Sequence, residues 1–184
     1  RRHVLDGPIL DLIGAGGFRR ALDVGSGEGR LCRAMQRMGI ATVGVEPTAK
    51  LRQTAQDRDP AGSYIDAMAE DLPFADGSFD LVVSCLTLID IDGVEAAIAE
   101  FSRVMSPGGT LIIANLNSFA TAGGWQTQPD GSRIFQIDDY MDARAEWARW
   151  RQMRIRNWHR PMSLYMRLLL AQGLRLTYFD EPQP

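Results

Sequence analysis

The 184-residue sequence predicts a three-layer α/β/α chain, a mostly parallel sheet between two sets of helices. Two observations carry that expectation. Apolar runs of strand length alternate with segments of helical periodicity from Arg20 to Leu116, and such alternation builds a parallel sheet covered on both faces. The run Phe79–Cys85 (FDLVVSC) is nearly continuous in its apolar character, as a strand buried on both faces requires. A third observation sets a limit. The alternation stops after Asn117, and residues 118–160 read as a hairpin-like lid inserted after the fifth strand of a single domain spanning 1–184.

The elements follow in order. Residues 4–13 have a helix-like pattern broken by Gly7-Pro8, expected as a short helix over one sheet edge, and Gly14–Gly17 form a loop. Arg20–Val24 is the first strand. A helix over Glu28–Met38 follows and stops at Gly39, a residue suited to a C-terminal cap. ATVGVE (41–46) is the second strand, TAKLRQTAQ the next helix and SYIDA a short third strand. After Phe79–Cys85, Asp92 with Glu95 reads as a capping pair. The helix it opens is expected to end at Pro107-Gly108-Gly109, before a fifth strand TLIIANL. PMSLYMRLLLAQ is a last helix and LRLTYF a last strand.

Composition narrows the function classes. A net charge of −3 with a pI near 5.4 gives no footprint for nucleic acid. No run of eighteen apolar residues offers a membrane span. Cys32 and Cys85 have neither disulfide-framework nor metal-ligand spacing, which suits a reducing cytoplasm. Lys50 is the only lysine, and arginines crowd late, at Arg144, Arg149, Arg151, Arg154, Arg156, Arg160 and Arg167. They read either as a solvated face or as a basic lid over an anionic substrate.

The stretch Arg20–Arg30, RALDVGSGEGR, is the candidate binding element: a strand, a glycine turn, then a helix. Glycines at 25, 27 and 29 permit positive φ and let a ligand lie against bare main chain. The helix start offers unpaired N–H groups. A dinucleotide turn would place its third glycine where Arg30 stands. Asp23 and Glu28 would moreover repel a pyrophosphate, so the acids favour a cationic or zwitterionic guest.

With VGVEPT, AEDLPFADGSFDLVVS and EFSRVMSPGGTLIIAN following in order, the chain resembles class I S-adenosylmethionine-dependent methyltransferases, of the group that includes the ubiquinone/menaquinone-biosynthesis enzymes. The resemblance covers about Arg20–Asn117. It implies a Rossmann-like, seven-stranded sheet, S-adenosyl-L-methionine as cofactor and S-adenosyl-L-homocysteine as product. It also implies site residues. Asp23, Gly25, Ser26, Gly27 and Gly29 would hold the methionine part, Glu46 the ribose hydroxyls, and Pro47 would pack beside the adenine. Met68 stands where relatives often carry an aspartate for the adenine amine, leaving the ring to Ala69 N–H and the amine to a backbone carbonyl, Glu70 or Asp71. Ser84 and Cys85 would line the sulfonium side. The resemblance implies a sheet that ends in two edge strands, so the second is expected either beyond Pro184, since EPQP reads as a linker, or replaced by the hairpin of the insertion.

A sulfonium methyl is already activated, so transfer to a small-molecule acceptor needs positioning, with a base only if the acceptor must lose a proton. His159, in NWHRPMSLY, is the candidate base, with Tyr140 and Asp90 behind it; the other reading of His159 is a lid-fixing histidine. Asn117, Trp125, Tyr140, Trp147 and Trp158 are candidate pocket walls for a planar or apolar acceptor. Two other functions fit less of the pattern: a non-catalytic protein that binds the same cofactor, and an NAD-dependent oxidoreductase.

Overall fold

The computed structural model describes residues 4–150 and 153–182. Its centre is a five-stranded parallel sheet in the order β3-β2-β1-β4-β5, formed by β1 (Arg20–Val24), β2 (Ala41–Val45), β3 (Ser63–Ile65), β4 (Phe79–Cys85) and β5 (Met105–Ala114). Val24 aligns with both Val45 and Ser84. The carboxyl ends of the three central strands therefore open on one side, where open α/β sheets bind ligands.

Strand alternation divides the core. Leu22, Val24, Phe79 and Val82 face one way, toward α4 (Val94–Val104) and α6 (Met162–Ala171). Ala21, Leu81 and Val83 face the other way, toward α1 (Asp6–Gly16) and α2 (Arg30–Arg37). Helix α3 (Ala49–Arg58) completes the helical layers. The three-layer expectation holds.

Three local expectations are corrected. Gly7-Pro8 does not break α1, because both fall in its first turn, where a missing N–H costs no helical bond. Nor does α1 cover an edge: Ile9 and Ile13 pack in the cluster of Ala21, Leu81 and Val83 on the sheet face. Ile13→Val is accordingly expected to cost about 1 kcal/mol in urea unfolding, whereas an edge helix would show nothing measurable. Helix α4 ends at Val104, and Pro107-Gly108-Gly109 is taken up as an irregularity within β5 opposite Phe79–Leu81.

The segment after β5 builds two antiparallel hairpins behind the short helix α5 (Ser118–Thr121). One pairs β6 (Gly123–Thr127) with β7 (Arg133–Ile137); the other pairs β8 (Arg144–Trp150) with β9 (Met153–His159). Residues 174–179, expected as a strand, carry no strand assignment. Leu176, Tyr178 and Phe179 are exposed there, so no apolar face holds the segment in register.

Candidate functional site

The glycine turn is bent over the end of β2. Gly25 N–H and Ser26 N–H both donate to Val45 O, at 2.8 and 3.0 Å, and Gly29 N–H donates to Ser26 O at 2.9 Å. Gly25, Gly27 and Gly29 all have positive φ, between 55° and 74°. Their surroundings differ. A Cβ on Gly25 would fall 2.3 Å from Thr87, and one on Gly29 2.4 Å from the Tyr64 hydroxyl, whereas around Gly27 nothing lies within 4 Å. Two of the glycines therefore make room for neighbouring side chains. Gly27 turns bare backbone toward open space.

The carboxylates frame that space. Asp23, at the end of β1, is 2% exposed, and the Cys32 thiol on α2 donates to its Oδ2 at 3.5 Å. Burial, opposed by the Cys32 hydrogen bond and by Arg30, raises its carboxyl from 3.8 to about 6. The same burial, with Asp23 beside it, pushes the Cys32 thiol well above its usual range. Glu46, just past β2, is 6% exposed. Its Oε2 accepts Gly27 N–H at 3.0 Å and its Oε1 accepts Thr48 N–H at 2.8 Å. Each oxygen keeps a lone pair for a further donor. Arg52 ties the Glu46 carbonyl to Asp66, which fixes the strand end. Pro47 presents an exposed ring.

The loop after β3 divides the residues expected there. Met68 is 54% exposed, and Ala69 is buried. Glu70 accepts Gly93 N–H at 3.1 Å, at the N-cap position of α4. It thus supplies the cap expected from Asp92 and Glu95: the first N–H groups of a helix lack partners, and a carboxylate suits that end. The other Glu70 oxygen, Oε2, is buried with no hydrogen-bond partner among the described residues. Arg103 and Glu100 on α4 pin the Leu72-Pro73-Phe74 turn through Leu72 N–H and the Leu72 and Phe74 carbonyls. At the end of β4, Ser84 is buried and Cys85 half-buried. The buried Oγ atoms of Ser26 and Ser84 have no hydrogen-bond partner among the described residues, an arrangement that a bound polar guest would complete.

His159 has both ring nitrogens engaged within the segment after β5. It is 2% exposed, with Nε2 2.8 Å from the Tyr140 carbonyl and Nδ1 2.9 Å from the Thr121 hydroxyl. A carbonyl only accepts, so Nε2 carries a hydrogen, and Nδ1 is taken up by Thr121. Tyr140 stacks on Phe119 and takes Met162 N–H on its hydroxyl, which ties this segment to the start of α6. The candidate pocket walls Trp125 and Trp147 are 61% and 59% exposed. The arginine cluster is not a uniform basic face. Arg144 reaches the carbonyls of Ala122, Asp138, Asp139 and Asp142 and pairs with Glu146, and Arg160 is buried on other carbonyls. Arg151 and the side chains of Arg149 and Arg154 lie outside the described residues.

Sequence reasoning missed Thr87 and Leu86. Thr87 Oγ1 donates toward Val24 O at 3.1 Å and Cys85 O at 3.3 Å, behind Gly25. Leu86 holds φ 57°, which no residue-level pattern announces.

Comparison with known proteins agrees with this geometry. Residues 22–113, half of the chain, match the family model described as a methyltransferase domain. A demethylmenaquinone methyltransferase of Renibacterium salmoninarum is 33% identical over 119 residues, covering 65% of this chain and 50% of the relative. An uncharacterized methyltransferase of Mycobacterium sp. (strain KMS) is 33% identical over 111 residues, covering 60% and 44%. The chain thus spans about half the length of the curated relatives it matches. Two solved structures share the fold: an S-adenosylmethionine-dependent methyltransferase from Mesorhizobium loti (TM-score 0.80, 24% identity, 93% of this chain and 81% of that one) and a counterpart from Listeria monocytogenes (0.81, 21%, 90% and 78%). The chain belongs to the methyltransferase domain family. S-adenosyl-L-methionine is the cofactor that membership implies, and the open Gly27 backbone, the anchored Glu46 and the unpartnered Ser26 hydroxyl fit such a group.

Proposed function

We propose that this chain binds S-adenosyl-L-methionine across the carboxyl ends of β1, β2 and β4 and transfers its methyl group to a small-molecule acceptor under the lid of residues 118–160. The observation that carries the reading is Glu46. A buried carboxylate, held by two backbone N–H groups at the rim of an open glycine turn, is suited to a vicinal diol. Bound there, the cofactor supplies an activated methyl for in-line displacement. Asp23 offers a negative charge for the ammonium, and Gly27 leaves room for the methionine chain. Ser84 and Cys85 border the sulfonium side. The lid excludes water and holds the acceptor at near-attack distance. His159 and Tyr140 act by fastening the lid, so the site supports acceptors that need no protein base.

The demethylmenaquinone methyltransferase likeness supports a small planar acceptor. Two cysteines without the spacing of a disulfide framework support a cytoplasmic setting, and no helix among the described residues is long and apolar enough to cross a membrane. Calorimetry with S-adenosyl-L-homocysteine and with NAD tests the cofactor reading: binding of the first without the second is expected, and the reverse would overturn it. Glu46→Gln keeps shape and one acceptor but removes the charge. It is expected to weaken S-adenosyl-L-homocysteine about tenfold, the difference made by one charge-assisted hydrogen bond. An acceptor screen with labelled methyl donor separates an enzyme from a non-catalytic binder.

A further inference from the structure

Arg160 lies at the lid's exit, between β9 and α6, and is 3% exposed. Its hydrogen-bond partners are backbone carbonyls. Nη1 donates to Leu88 O at 2.9 Å, and Nη2 to Ile91 O at 2.6 Å and Asp92 O at 2.9 Å. The guanidinium carbon sits 4.4 Å over the Trp158 ring, and Trp158 N–H donates to Ile89 O at 2.6 Å. A planar, weakly hydrated cation that stacks on an aromatic ring and spans several acceptors is the side chain for this task; a lysine ammonium is not. All these carbonyls belong to one loop, residues 86–92.

The same loop touches the cofactor turn at its other end. Leu86 holds a left-handed backbone at φ 57°, which a residue with a side chain keeps only where its surroundings enforce it. Next to it, the Thr87 hydroxyl reaches Val24 O, and the Thr87 side chain fills the space that a Gly25 Cβ would need. A continuous set of contacts therefore runs from Arg160 through the loop to Thr87 and Gly25.

We propose that Arg160 is a positioning residue for the cofactor site: seated with the lid, it fixes residues 86–92 and through Thr87 the glycine turn. Cofactor affinity then depends on whether the lid strand is in place. The inference rests on the cofactor reading given above. Its test uses Arg160→Lys, Thr87→Val and the double variant, with S-adenosyl-L-homocysteine affinity by calorimetry and amide hydrogen exchange. Arg160→Lys is expected to raise Kd about tenfold and to speed exchange at 86–92 at least tenfold, with the β1 and β2 amides unchanged. Thr87→Val is expected to raise Kd similarly, and the double variant to lose less than the product of the two, since both act through one loop. Multiplicative losses, or an unchanged Kd, would overturn the inference. A wild-type protein that does not bind S-adenosyl-L-homocysteine would sink the cofactor reading instead, leaving loop exchange to report on Arg160 alone. Should Arg160→Lys not fold, Trp158→Leu, which removes the stacking surface and leaves the three bonds, is expected to shift Kd and loop exchange the same way by a smaller factor; no shift in either would overturn the inference.

Discussion

Gly27→Ala is expected to weaken S-adenosyl-L-homocysteine about 100-fold while leaving the protein folded. The residue holds φ 55°, and no atom lies within 4 Å of where its Cβ would stand. In the free protein the substitution costs only the left-handed backbone penalty, about 1–2 kcal/mol. In the complex the added methyl occupies ligand space, and overfilling a packed contact costs a further 1–3 kcal/mol or so, up to about a hundredfold in Kd. Gly29→Ala provides the contrast. Its Cβ would press on Tyr64, whose hydroxyl is held by Asp59 at 3.0 Å, so the main loss is stability. Urea unfolding and calorimetry on both variants separate the two roles. Wild-type affinity in Gly27→Ala would mean that the ligand does not lie against the Gly27 backbone.

The contrast between these glycines also marks what a sequence can carry. Strand–turn–helix order and the acids at 23 and 46 are local, so β1 and β4 are predicted to the residue, and the turn with them. The glycine spacing announces positive φ, but not which glycine faces a neighbour and which faces space, because Tyr64 and Thr87 come from distant segments. Capping failed for the same reason: Asp92 and Glu95 have the spacing of a cap, yet Glu70 arrives from another loop with a better-placed carboxylate. His159 has the chemistry of a base, and only the three-dimensional arrangement shows both its nitrogens committed to Thr121 and Tyr140. The arginines illustrate the general limit. Their charge reads as fit for an anionic guest, yet Arg144 and Arg160 spend most of theirs on main-chain carbonyls, which no side-chain pattern encodes.

Affinity for S-adenosyl-L-homocysteine is expected to fall about tenfold per pH unit below pH 6, and about 100-fold by pH 4. The group responsible is Asp23, raised from 3.8 to about 6 mainly because burial penalises its charge. In the ligand-free protein the sign is fixed: a carboxyl with a raised pKa favours the folded state fully below pH 3.8. That contribution, about 3 kcal/mol, is lost as pH rises through 6. An ammonium group beside Asp23 selects the ionised form, so binding draws on a fraction that shrinks tenfold per unit below 6. Binding near pH 6 should therefore release about half a proton, read as a dependence of calorimetric heat on the buffer's ionisation enthalpy. Asp23→Asn keeps the shape and removes the titration; it is expected to bind weakly at every pH, with a flat profile over pH 4–7. A sloping profile in Asp23→Asn would assign the titration to another group. A flat one in the wild type would mean that the cofactor's ammonium does not meet Asp23. Circular dichroism over the same pH range separates this result from acid unfolding, which paired carboxylates such as Glu100, held low by Arg103, would drive; Asp23 itself acts the other way. The free protein gains from Asp23 protonation over the same interval in which the complex weakens.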